Sequence, residues 1–158
     1  MPKEALMSSA KGALRLWLRA LTLTNMVEGR VRRRLRADFG VTLPRFDVMA
    51  ALYDAPGGSS MGEVSRRLMV SNGNVTGIVE RLEREGLVSR RPRPEDRRSQ
   101  LVRLTDAGRA AFEEMAGAHE AWVSRMLSGL SEEETGRLYD LLGKAKRSVL
   151  ESDGEESR

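Results

Sequence analysis

The sequence has no cysteine among its 158 residues, which excludes disulfides, thiolate metal sites and cysteine-based peroxide sensing. It has a single histidine, His119. With no second histidine or thiol to join it, His119 reads as an ordinary helix residue, and no metal site is expected. Aromatic residues make up only 4% of the chain, so the core must be built from Leu, Val, Met and Ala, a mix suited to helices packed on helices. No stretch approaches the roughly 18 uninterrupted apolar residues of a membrane span, and Met1-Pro2-Lys3-Glu4 opens no apolar signal core. A cytoplasmic protein without membrane association is expected. No nucleophile is paired with a base, and no glycine-rich phosphate loop follows a strand, so neither catalysis nor a cofactor is expected.

What is present is charge. Charged residues are 32% of the chain and the net charge is +4, which permits a polyanionic partner. The excess is concentrated: between Arg90 and Arg103 stand six arginines against only Glu95 and Asp96, a local excess of +4.

Hydrophobic spacing divides the chain into elements. From Gly12 to about Phe39 the apolar residues Leu14, Trp17, Leu18, Leu21, Val27, Val31 and Leu35 recur at three- and four-residue steps, predicting one long helix stopped by Gly40. Thr42-Leu43-Pro44 starts a second helix with Phe46, Met49, Ala50 and Tyr53 inward. Ser60 and Glu63 have capping-box spacing for a short third helix, with Met61, Val64 and Leu68 inward. Ser71 caps a fourth, in which Val75, Ile78, Val79 and Leu82 form the buried stripe.

Residues 87–91 and 100–104 read as a hairpin whose connection holds both Pro92 and Pro94. A fifth helix follows from Thr105-Asp106, with Ala111, Met115, Ala118, Trp122 and Met126 in step. Ser131 and Glu134 cap a sixth with an inner stripe of Leu138, Leu141, Leu142, Ala145 and Val149. The acidic tail from Glu151 is expected to be disordered. The fold class is thus mainly α: a winged helix-turn-helix with a β-hairpin wing and helical extensions at both ends.

Two short helices followed at once by a basic hairpin form a layout that reads duplex DNA. With its apolar stripe buried, the fourth helix turns a small, polar leading half outward, which suits entry into a major groove. Its contact set is Ser71, Asn72, Asn74, Thr76 and Gly77, followed by Arg81 and Arg84. Gly77 inside a helix costs roughly 1 kcal/mol relative to Ala and so has a reason to be there. On the wing, Arg97 and Arg98 can reach phosphates or a narrow minor groove, and Asp96 can hold the Arg98 guanidinium by a paired hydrogen bond and so aim it. The apolar stripes of the terminal helices exceed what one small winged domain can cover. A twofold dimer would set two reading helices about 34 to 36 Å apart, one DNA turn.

The stretch Met61-Gly-Glu-Val-Ser-Arg-Arg-Leu68, the run Ser71 to Val88, and Pro94-Glu-Asp-Arg-Arg-Ser99 through Thr105 resemble the MarR (multiple-antibiotic-resistance regulator) family, whose Asp-x-Arg wing signature falls on Asp96 and Arg98. The resemblance implies a homodimer joined by the first, fifth and sixth helices, and recognition helices in successive major grooves of operator DNA. It also implies Arg98 in the minor groove and a repressor released by a small-molecule effector. The chain then divides into an N-terminal dimerisation helix (1–41), a DNA-binding domain (42–105), C-terminal dimerisation helices (106–150) and the tail (151–158).

By the same resemblance the effector pocket lies where the first, second and fifth helices meet the DNA-binding lobe, with Trp17, Leu21, Phe46 and Met49 as candidate lining. The five arginines of the run Arg30-Val-Arg-Arg-Arg-Leu-Arg36 read as a solvated face or as an approach to DNA phosphates, and Arg30, Arg33 and Arg34 would also suit an anionic ligand. Together with Leu14 to Arg19 and Leu43 to Asp47, that run is similar to repressors of aromatic-acid catabolism that answer to hydroxycinnamoyl-CoA thioesters. The effector implied is an aromatic acid or its acyl-CoA. The alternative is a winged-helix module that binds protein, for which no steep salt dependence of DNA affinity is expected.

Overall fold

The computed structural model describes residues 10–96 and 98–156. The elements are α1 (Ala10–Phe39), α2 (Leu43–Tyr53), β1 (Ser59–Ser60), α3 (Met61–Leu68), α4 (Asn72–Arg84), β2 (Val88–Pro92), β3 (Gln100–Leu104), α5 (Asp106–Met126) and α6 (Glu132–Glu156). They form two compact units, Met1–Trp122 and Val123–Arg158.

Local sequence explains where each helix begins and ends. Gly40, at φ +65°, closes α1: its N–H donates to the Arg36 carbonyl at 3.1 Å, the bond of an αL cap, and the Val41 N–H donates to that of Leu35 at 3.2 Å. Thr42 accepts the Arg45 N–H at the start of α2. Ser60 and Glu63 exchange the two bonds of a capping box at α3, and Ser131 and Glu134 do the same ahead of α6. Between α3 and α4 the chain turns through Met69, which stands in the left-handed region at φ 55°.

The core of the first unit gathers Leu35 of α1, Val48, Met49 and Leu52 of α2, Val64 of α3, Val75, Val79 and Leu82 of α4, and Val102 of β3, all below 2% exposed or at most 2%. Each such side chain contributes about 1.5–3 kcal/mol by leaving water. The α4 stripe thereby fixes which side of the helix is left to solvent. An aromatic ladder runs along the same unit: Tyr53 on Phe112 at 4.9 Å between centroids, Phe112 on Phe46 at 5.4 Å, and Phe46 on His119 at 5.0 Å. His119 is half-buried in this ladder.

The sheet has the order β1-β3-β2, all antiparallel. Strand β1, which pairs Ser59 with Val102 and Ser60 with Leu101, was not expected, because two residues are too few to show an alternation. Pro92 belongs to β2 and not to the connection: it faces Gln100. The neighbouring backbone bonds, Arg93 N–H to Ser99 at 2.8 Å and Thr105 N–H to Leu87 at 3.0 Å, put the bonded pairs at odd positions of β2. Pro92 therefore occupies a non-bonded site on an edge strand, where its missing N–H removes nothing from the ladder.

Other expectations shift in detail. In α2, Val48, Ala51 and Leu52 are buried while Ala50 and Tyr53 are only half-covered, because α1, α3, α4 and β3 all contact this helix and no single stripe describes it. In α3, Met61 and Leu68 are half-buried, as is Ile78 in α4. Phe112, not among the expected inward residues of α5, is buried beside Met115. Helix α6 runs to Glu156, into the segment expected to be disordered; residues 157 and 158 lie outside the described residues. The α6 stripe is open to solvent in this chain, with Leu141 62% and Val149 61% exposed.

Candidate nucleic-acid interface

With Val75, Val79 and Leu82 sealed against the core, α4 presents Asn72, Gly73, Asn74, Gly77, Arg81 and Arg84 to solvent, and its cap Ser71 is exposed as well. Ser71 Oγ accepts the Asn74 N–H at 3.3 Å, which satisfies one of the first-turn N–H groups that have no partner within the helix. Thr76 is half-buried, and its hydroxyl donates to the Asn72 carbonyl at 2.8 Å while lying 3.3 Å from Met61 Sδ. Its single proton is thus engaged, leaving an acceptor lone pair and a methyl group to meet a base edge. A Cβ added at Gly77 would meet nothing within 4 Å. No packing within the chain calls for glycine there.

The wing's arginines fall into two sets. Arg90 lies on Glu83 of α4, with Nε at 2.8 Å and Nη2 at 2.5 Å from Oε2, and Glu83 holds the Arg90 guanidinium above its ordinary pKa. Arg93 donates to Glu63 of α3 at 2.7 Å. These two are struts. Among the described residues, Arg91, Arg98 and Arg103 have no carboxylate within 4.0 Å. Arg97 lies outside the described residues.

Contrary to the expectation from sequence, Asp96 does not hold the Arg98 guanidinium; its Oδ1 accepts the backbone N–H of Arg98 at 3.0 Å. A carboxylate two residues before a backbone N–H closes an Asx turn more readily than it reaches a flexible guanidinium. The carboxylate shapes the tip, while the exposed Arg98 side chain is left free.

Two further ion pairs tie α2 to the helix pair: Arg45 of α2 with Glu85 at the end of α4, and Arg67 of α3 with Asp54 just beyond α2. The Arg45 bond is the chief reason the Glu85 carboxyl sits below its ordinary range.

The seven residues chosen from sequence for an effector pocket do not converge. Trp17 is 58% and Leu21 38% exposed on α1, and Arg30, Arg33 and Arg34 are exposed. Phe46 and Met49 are core residues, 6% and 0% exposed. A cleft of about 700 Å³ opens elsewhere in the same unit. Glu28, Arg32 and Arg36 of α1 and Asp47 of α2 supply its charge; Leu43, Val48, Leu68, Val70 and Ile78 its apolar wall; and Asn74 of α4 lines it too. The i, i+4 spacing of Glu28, Arg32 and Arg36 puts them on one face, a signal the sequence carried within the same arginine run. Arg32 bonds Glu28 at 3.2 Å. Burial, then the nearby Glu28, raise the Asp47 carboxyl above its ordinary range, partly offset by His119.

These features can be set beside known proteins. Residues 39–99 match the family model described as MarR family. The chain is 33% identical over 116 residues to the HTH-type transcriptional regulator YdgJ of Bacillus subtilis, spanning 73% of this chain and 70% of that protein. A MarR family transcriptional regulator from Silicibacter pomeroyi superposes with a TM-score of 0.69 at 36% identity, over 90% of this chain and 95% of that one. Streptococcus pneumoniae FabT, solved in complex with DNA, superposes with a TM-score of 0.72 at 26% identity, over 88% of this chain and 98% of that one. With the helix-turn-helix, the arginine-tipped wing and a relative aligned over most of both chains, this protein belongs to the MarR family of transcriptional regulators.

Proposed function

We propose that the protein is a homodimeric repressor that grips duplex operator DNA in the cytoplasm and releases it when a small anionic effector binds. The observation that carries the reading is the contrast across α4 and the wing. Val75, Val79 and Leu82 of α4 turn inward, while Asn72, Asn74, Gly77 and Arg98, which has no carboxylate partner among the described residues, stand exposed on the segments that a winged helix brings to DNA. In this reading Ser71, Asn72, Asn74, Thr76 and Gly77 enter the major groove, Arg81 and Arg84 meet its phosphate walls, and Arg97 and Arg98 serve the wing contact.

Dimerisation is supported by the apolar surface that a single chain leaves in water. Leu14, Trp17, Leu18, Leu21 and Met26 on α1, and separately Leu138, Leu141, Leu142 and Val149 on α6, are each more than a third exposed. Repression follows from exclusion, since a dimer occupying adjacent grooves denies that stretch of DNA to other proteins.

The effector is an amphipathic anion, an aromatic acid or its CoA thioester. The cleft of Arg32, Arg36 and Asp47 is the preferred site over the residues chosen from sequence, because it joins cations to an apolar wall. Asn74 and Ile78 of α4 line it, so a ligand there can favour a helix position that DNA does not.

The test is a titration of duplex from upstream of the protein's own gene, followed by fluorescence anisotropy and repeated with aryl acids and their CoA thioesters. Saturable binding by a dimer, reversed by one such anion in the parent but not in Arg32→Ala/Arg36→Ala, supports the whole reading. Binding that no anion reverses removes the effector part, and a winged-helix protein module without DNA affinity would show no binding at all.

A further inference from the structure

Glu63 stands where three elements meet. It is the third residue of α3, and its Oε2 accepts the Ser60 N–H at 2.9 Å while its own N–H donates to Ser60 Oγ at 3.1 Å. Ser60 belongs to β1, which pairs through Leu101 with the wing strand β3. The second oxygen, Oε1, accepts Arg93 Nη2 at 2.7 Å. Arg93 is the first residue beyond β2, and its backbone N–H donates to the Ser99 carbonyl, closing the root of the wing loop. One carboxylate therefore fastens the start of α3, the short strand β1 and the base of the wing. The Ser60 bond and then the Arg93 bond hold the Glu63 carboxyl below its ordinary pKa range.

An acid on a surface that meets DNA is expected to oppose binding, because it repels phosphates. An arginine at the wing root is expected to add a phosphate contact. The geometry assigns both residues a different part. We propose that Glu63 is a positioning residue that sets the angle of the wing against the helix pair, and that Arg93 acts through Glu63 and not on DNA. The proposal rests on the DNA-binding reading for its consequence and on the bonds above for its cause. It reverses the sign of the simple electrostatic expectation: removing this negative charge lowers operator affinity.

The experiment uses the full chain as parent, Glu63→Gln, Arg93→Met and the double variant. Glutamine keeps an oxygen for the Ser60 N–H, since the capping box accepts either residue, but loses the charge of the bond to Arg93. Hydrogen exchange is measured on the free proteins. Faster exchange of the amides in residues 93–100 in both single variants, with α4 unchanged, is expected; unchanged exchange in that segment overturns the proposal whether or not the protein binds DNA.

Affinity for duplex from upstream of the gene is then measured across salt. Each single variant is expected to weaken binding about tenfold, the scale of one charge-assisted hydrogen bond, with the salt slope unchanged and the double variant no worse than either single. Binding by Glu63→Gln as tight as the parent's or tighter overturns it, and so does a salt slope reduced by about one in Arg93→Met, the mark of a lost phosphate contact. A parent that binds no duplex fails the DNA-binding reading and leaves the exchange result to decide the wing geometry. If Glu63→Gln does not fold, Arg93→Met alone decides, since its exchange and salt slope each carry one of these outcomes.

Discussion

A Cβ placed on Gly108 would lie 1.9 Å from the carbonyl oxygen of Leu87. The first turn of α5 is thereby pressed against the entry to β2. Thr105 completes the junction: its N–H donates to Leu87 at 3.0 Å, its hydroxyl donates to the Gly86 carbonyl at 2.7 Å and accepts the Gly108 N–H at 3.0 Å. Gly108→Ala forces backbone apart and is expected to destabilise the fold by about 3 kcal/mol. A fall in the thermal midpoint read by circular dichroism checks this, and a midpoint equal to the parent's would contradict it.

Gly77 gives the opposite expectation from the same kind of residue. Nothing lies within 4 Å of an added Cβ, so Gly77→Ala should stabilise the free protein by up to about 1 kcal/mol through helix propensity alone. In the proposed mode of binding the added methyl sits on the reading face, so operator affinity should fall. A variant that is both more stable and an equally good DNA binder would show that this face does not approach the duplex closely.

The wing tip separates two functions of one acid. Asp96 accepts the Arg98 backbone N–H, a bond that asparagine also makes. Asp96→Asn should therefore keep DNA affinity, or raise it by losing a negative charge, whereas Asp96→Ala should lose about 1 kcal/mol of binding by loosening the turn. Were the guanidinium of Arg98 aimed by the carboxylate, both variants would weaken binding alike. Arg98→Ala itself should bind far more weakly while sedimenting as the parent does.

Asp47 ties stability to pH with a sign that can be worked out. Burial, then Glu28, raise its carboxyl above the ordinary 3.8, against a lowering by His119. The folded chain therefore holds this proton at a pH where the unfolded chain has released it. Stability from this group is greatest below 3.8 and declines as pH rises through the folded value. Asp47→Asn removes that decline. Urea unfolding of parent and variant from below pH 3.8 up to neutral should show the variant gaining on the parent as pH rises; parallel curves would refute the assignment.

Much of this fold was legible because its signals are local. Helix caps at Ser60, Ser71 and Ser131 and the stop at Gly40 act through bonds within a few residues of each cap, and the α4 stripe repeats with the helix period. The parts that escaped depend on partners distant in sequence. Pro92 could be placed only once its pairing with Gln100 set the ladder phase, and β1 exists because β3 lies beside it. Phe112 is buried through Phe46 and Tyr53, which no spacing within α5 reveals. In the interface, the exposed set on α4 followed from its periodicity, but the division of the wing arginines did not. Arg90 and Arg93 are taken up by Glu83 and Glu63, the latter 30 residues away. The effector residues failed to converge for a similar reason: an arginine run names a charged helix, and only the packing of α1 against α2 decides that Arg32 and Arg36 face a cleft.

In the proposed function, α4 and the wing hold duplex DNA through exposed cations without a carboxylate partner among the described residues and through a small polar reading face. The most direct measurement is the affinity of parent and Arg98→Ala for upstream duplex between about 50 and 200 mM salt. The parent is expected to show a steep linear loss of log affinity with log salt, and the variant a weaker, shallower line. A parent line that is flat across this range, or one that Arg98→Ala leaves unmoved, would contradict it.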